Sequence, residues 1–199
     1  MPVIRHERIF GRPNTPKQPS TPFRLGIATL VLVALGAAAC SSSPPSASTK
    51  PISANKLVEQ GLNAESLGQI DQAIADFKQA IATSPKNVYA YYDLGVIYQQ
   101  QVNDPSLAAT WYRRALNANP SYTPAIFNLA ILETPSDPQS AVALYQRILA
   151  IKPNDADTNF NLGLLLISQN QVTQGKADLS KAISLDPSLA SRVPKGITP

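Results

Sequence analysis

A chain of 199 residues is long enough for one compact domain plus additional segments, and its formal net charge of +4 is unevenly placed. Residues 1–39 hold Arg5, Arg8, Arg12, Lys17 and Arg24 against Glu7, whereas residues 40–199 hold twelve basic and twelve acidic side chains; a nucleic-acid binder, which needs cations concentrated on its folded body, is excluded. The single His6 and single Cys40 both precede that body, which excludes an internal disulfide, a Cys/His metal cluster and any His- or Cys-based triad.

The first element in the chain is apolar. Leu25 to Ala39 is a run of fifteen residues without a charge, with Arg24 directly before it and the Ser/Pro-rich stretch Ser41 to Thr49 after it. A basic flank, an apolar run and a small-residue exit form the layout of a secretory signal. With Phe23 the run reaches seventeen residues, the short limit for a bilayer span. Basic residues on its N-terminal side alone predict that the rest of the chain is translocated. Ala37, Ala38, Ala39 and Cys40, followed by three serines, resemble a bacterial lipoprotein signal, in which the cysteine carries lipid and becomes the mature N-terminus. The usual aliphatic residue three places earlier is Ala37 here, and three alanines also fit an ordinary cleavage site. Residues 1–39 are therefore read as a signal peptide or uncleaved anchor, Cys40 as a lipid-attachment site, and residues 40–53 as a flexible tether. The expected location is the extracytoplasmic face of a bacterial cell membrane.

A repeat follows. Pro85, Pro120, Pro153 and Pro187 lie 35, 33 and 34 residues apart. Twelve residues before each stands Ala73, Ala108, Ala141 or Gly175, and eight before stands Phe77, Tyr112, Tyr145 or Leu179. Four before stands Ile81, Leu116, Leu149 or Ile183, and upstream in each unit a small residue recurs at Gly61, Gly95, Ala130 and Gly163. Spacings of three, four and seven put these residues on one helical face, where small residues admit a second helix and large ones fill the groove. Proline ends the second helix of each unit. Asp104-Pro105, Thr123-Pro124 and Asp137-Pro138 each pair a capping residue with proline at a helix start. Paired helices are thus predicted at 54–67 and 70–83, 88–101 and 105–118, 123–133 and 138–150, and 156–169 and 173–185.

These spacings resemble the tetratricopeptide repeat, most clearly at Leu94, Gly95 and Tyr98 followed by Ala108, Tyr112, Ala115 and Pro120. The resemblance covers residues 54–187 and implies an all-α, right-handed solenoid of about four helix hairpins. Its units are 54–87, 88–122, 123–155 and 156–189, with residues 190–199 left as a disordered tail. It also implies that the first helices line a concave groove. By phase, the groove positions are Asn55, Val58 and Leu62; Tyr89, Tyr92, Val96 and Gln99; Phe127, Asn128 and Ile131; and Phe160, Asn161 and Leu164. Phe127-Asn128 and Phe160-Asn161 recur at equivalent phase, suited to anchoring side chains and backbone of an extended peptide. The competing reading is that these aromatics complete the packing or bury against a C-terminal segment. The second-helix cations Lys78, Arg113, Arg114, Arg147, Lys176 and Lys181 read as a solvated outer face. No cofactor and no enzyme activity are expected. The function implied is a membrane-tethered adaptor that binds a protein or extended peptide. The alternative is a self-associating structural protein, because too few residues follow Pro187 to form a full capping helix.

Overall fold

A computed structural model describes residues 52–198; the apolar run, Cys40 and the tether through residue 51 lie outside them. Eight helices follow in order: α1 Ala54–Ser66, α2 Ile70–Thr83, α3 Val88–Gln100, α4 Pro105–Ala118, α5 Thr123–Glu133, α6 Pro138–Ile151, α7 Ala156–Ser168 and α8 Val172–Leu185. Each agrees with its predicted span to within one residue at either end. Among the described residues there is no strand, and no helix is long and apolar enough to cross a membrane.

Local chemistry sets the helix ends. The side chains of Ser53, Asn87, Asp104, Asp137 and Asp155 each accept a backbone N–H three residues on, satisfying a donor that the first turn leaves unpaired. Within three hairpins the turn needs a left-handed residue, supplied by Gly68 (φ 74°), Asn103 (φ 59°) and Asn170 (φ 63°), all seventeen residues before the unit's proline. The third hairpin turns without one. There the Ser136 and Asp137 N–H groups donate back to the Glu133 carbonyl, and α5 is the shortest of the eight helices.

Helices pair as α1 with α2, α3 with α4, α5 with α6 and α7 with α8, and each second helix packs on the first helix of the next unit. This is the stacking of a solenoid, in which each unit covers the apolar face of the last. Inside the hairpins the small-against-large pairing is literal. A methyl group added at Gly61 would lie 2.7 Å from the Phe77 ring, and one at Gly95 would overlap Tyr112. Between units, Arg113 of α4 pairs with the buried Glu133 of α5 at 2.6 Å, and Glu133 also accepts the Ser140 hydroxyl from α6.

The C-terminus departs from expectation. Residues 190–198, predicted to be disordered, belong to a segment that folds back: Pro187–Arg192 is a 3-10 helix, and Leu189 is 2% exposed. Leu189, Val193 and Ile197 pack with Phe160, Leu179 and Ala182. Three apolar side chains at spacing four give this short piece enough surface to cover the last hairpin without forming a full helix.

The buried phenols give the fold an alkaline limit. Burial, opposed by a hydrogen bond with Thr134, pushes Tyr145 from 10 up to about 12. An acid whose pKa is raised on folding adds stability that is complete below the unfolded value and is lost as pH rises through the folded one. Stability should therefore fall between pH 10 and about 12. In Tyr145→Phe, urea midpoints measured across that window should fall less steeply; an unchanged slope would remove Tyr145 from the explanation.

Candidate functional site

The face formed by the first helices is polar and aromatic in its middle. Tyr89 and Tyr92 of α3 and Tyr122, the residue before α5, converge there. Tyr122 meets Tyr89 edge-on with centroids 5.9 Å apart, and meets Tyr92 edge-on at 5.4 Å. Tyr92 leans on the buried Tyr112 at 5.8 Å. Beneath the rings runs a polar ladder. Asn128 Nδ2 donates to the Tyr112 hydroxyl (3.1 Å) and to the Tyr92 hydroxyl (3.4 Å), and Tyr112 donates to Gln99 Oε1 (2.7 Å). Burial, with Tyr92 nearby, pushes the Tyr112 phenol far above its usual range, so it remains a neutral donor.

The predicted groove residues divide sharply. Tyr89 is 56% exposed and Asn55 is exposed, while Val58, Leu62, Tyr92, Gln99, Ile131, Asn161 and Leu164 are half-buried. Val96, Phe127, Asn128 and Phe160 are buried. Phe127 packs edge-on against Tyr145, and Asn128 is occupied by the two tyrosine hydroxyls. Phe160 lies under the C-terminal segment, with the Arg192 guanidinium 4.9 Å from its ring centre and paired to Asp157 at 3.3 Å. Asn161 donates to the Asp157 carbonyl one turn back. The repeated aromatic-amide pairs therefore offer no matched pair of exposed anchors. Their phase fixed a helical face, but their own hairpin, the preceding unit or the tail covers them.

Sequence reasoning missed Tyr122, although a signal was present. Two residues after each unit's proline stand Asn87, Tyr122, Asp155 and Leu189. Asn87 and Asp155 cap the following helix, whereas Tyr122 makes no capping hydrogen bond. A capping residue is worth about 1 kcal/mol over one that cannot cap. Tyr122 forgoes that cap and instead packs its ring edge-on against Tyr89 and Tyr92.

Comparison with known proteins agrees with this architecture. Profiles described as TPR repeat and tetratricopeptide repeat match residues 66–102 and residues 88–122 and 156–189, respectively. The third unit lies outside both matches, and it is the unit with Ala130 for glycine, a short α5 and Glu133 at its end. Among curated proteins none matches the sequence. Among solved structures, MamA is similar at 20% identity and a TM-score of 0.61, covering 69% of this chain and 81% of its own. MamA from Desulfovibrio magneticus RS-1 (residues 41 to the end) is similar at 17% identity and 0.58, covering 68% and 76%. A tetratricopeptide repeat protein from Parabacteroides merdae ATCC 43184 is similar at 22% and 0.61, covering 67% and 54%. At these identities the likeness is one of fold: the chain carries tetratricopeptide repeats and folds as proteins built from them do.

Proposed function

We propose that this array of tetratricopeptide repeats is a membrane-tethered adaptor, not an enzyme, and that it holds an extended segment of another envelope protein along its first-helix face. The observation that carries the reading is the accessible tyrosine cluster of Tyr89, Tyr92 and Tyr122 over an amide-phenol ladder. Tyrosine presents a large apolar surface with a polar tip and few rotors to freeze, which suits it to anchor a partner. Gln99, Ile131, Asn161 and Leu164 extend the same face. Among the described residues, Lys56 is the one basic residue on any first helix, so the face is a poor match for an acidic tail.

The test is a double variant that should leave the fold intact. Tyr122→Asn restores the cap that Asn87 supplies to α3, and Tyr89→Ala removes a ring that is mostly exposed. Thermal melting should change by less than about 1 kcal/mol, since the new cap offsets the missing ring packing. Affinity for partners cross-linked to the full-length protein in membranes should fall about ten-fold. Capture of the same partners at unchanged strength would remove this face from the function. The alternative, a structural protein that stacks through its last hairpin, would have to displace the segment seated on Phe160. Sedimentation at several concentrations separates the two.

A further inference from the structure

Antiparallel hairpins sort the array into two long edges. The turns inside hairpins form one; the turns between units, with the starts of first helices and ends of second helices, form the other. On the edge inside the hairpins, residues 66–71, 100–105, 133–138 and 168–172 contain Asp71, Asp104, Glu133 and Asp137 and no Lys or Arg. The cations that reach it are Arg113, which is spent on Glu133, and Lys176 in the second turn of α8, against four acids. The edge between units is basic. Lys86 and Lys152 stand on its turns and Lys195 on the tail, all exposed.

A second set of cations on the same edge comes from the repeat itself. Arg114, Arg147 and Lys181 each lie six residues before their unit's proline. Arg147 donates to the Pro120 carbonyl, and Lys181 Nζ donates to the Pro153 carbonyl at 2.8 Å, in each case the proline of the preceding unit. Arg114 shares with Pro85, Lys86, Tyr91 and Asn117 an open hollow of about 270 Å³. A carbonyl holds these groups in place without neutralising them. Compensation of the helix dipole does not account for them, because none of α2, α4, α6 and α8 has a basic residue in its last turn. The acids on this edge are Asp155 and Asp186, each turned into capping, and Asp157, paired with Arg192.

Ser53, the first capping residue, sits at the start of α1 and so on this same basic edge. The chain therefore leaves for its N-terminus from the edge that carries the cations. We infer that the edge between units is a docking surface for anionic lipid headgroups, laying the solenoid against the membrane with its hairpin turns pointing away. This rests on the tethered reading above, which keeps the repeat domain close to a lipid surface. Each cation brought to an anionic surface changes partition about five-fold, and the effect is confined to roughly the Debye length.

Trp111 is the sole tryptophan, stacked with Tyr91 and Tyr98 at 6.2 and 6.4 Å and with the Arg114 guanidinium 4.6 Å from its ring centre, and it reports on the domain without labelling. The full-length protein is reconstituted in phosphatidylcholine vesicles with and without phosphatidylglycerol, each containing dansyl-labelled headgroups. Energy transfer from Trp111 should rise with phosphatidylglycerol and collapse in high salt. Lys86→Glu with Lys152→Glu should weaken the response about five-fold per unit of charge removed while the helical circular dichroism is kept. Among the described residues neither lysine pairs with a carboxylate, so the variant has no ion pair to break there. Equal transfer with and without anionic lipid, or a response that survives the charge reversal, overturns the proposal. Retention by duplex DNA with no response to phosphatidylglycerol overturns it too. Retention on pure phosphatidylcholine reads the tether separately: its loss removes the tethered reading, while dependence on phosphatidylglycerol still reads the edge.

Discussion

Tyr112→Ala is expected to cost about 4 kcal/mol of stability, and Tyr112→Phe about 1–2 kcal/mol, and the gap between them separates two roles of one side chain. The ring is fully buried and fills the space that Gly95 leaves open between α3 and α4, so truncation opens a cavity there. The hydroxyl does something else. It accepts from Asn128 and donates to Gln99, joining α3, α4 and α5. Its loss is softened because Gln99 is half-exposed and can turn to water, and because Asn128 keeps Tyr92. Urea titrations followed by circular dichroism should show Tyr112→Ala losing cooperativity as well, since the second unit couples the first to the third. Equal costs for the two substitutions would mean that the ladder, not the ring, holds these units together.

The helix pattern was legible because it is written in local terms. Proline at a fixed phase, capping residues at helix starts and a small-large alternation are properties of single segments; together they place all eight helices, although α2, α5 and α8 start without a side-chain cap and Thr123 lies inside α5, not at its cap. The direction of a groove residue is not local. Tyr92, Phe127 and Phe160 share a phase seven residues past the preceding unit's proline, yet Tyr92 is half-buried and the other two are buried. What differs is the neighbour: Phe127 meets Tyr145 of its own hairpin, and Phe160 meets Arg192 and the C-terminal segment. Glu133 tells the same story. Read alone it is an acid at the phase where the second unit has Tyr98; in the fold it is a 9%-exposed carboxylate joined to Arg113 and Ser140. A buried carboxylate is tolerable only with such partners, and their positions twenty residues back and seven forward belong to the tertiary structure.

The last hairpin supplies the second large effect, and it runs against the repeat's own consensus. Gly175 occupies a phase filled by alanine in the other three units, and alanine is favoured over glycine within a helix by about 1 kcal/mol. Gly175→Ala should nevertheless destabilise by about 2 kcal/mol. In the other hairpins an aromatic ring, Phe77, Tyr112 or Tyr145, stands between the helices; here the corresponding residue is Leu179, and the two backbones close on each other. A methyl group on Gly175 would lie 2.5 Å from the Gly163 carbonyl oxygen and 2.6 Å from Ile167 Cγ1. Overpacking costs about 1–3 kcal/mol, and the upper end applies where the obstacle is backbone and cannot change rotamer. The steric term therefore exceeds the propensity gain. A melting temperature lower by about 4–8 °C is the expected reading for a domain of this size. Pairing Gly175→Ala with Leu179→Tyr recreates the arrangement of the second hairpin and should recover part of the loss, a non-additivity that residues in contact are able to show. If Gly175→Ala alone raises the melting temperature, the close approach of α7 and α8 is not what holds the end of the array.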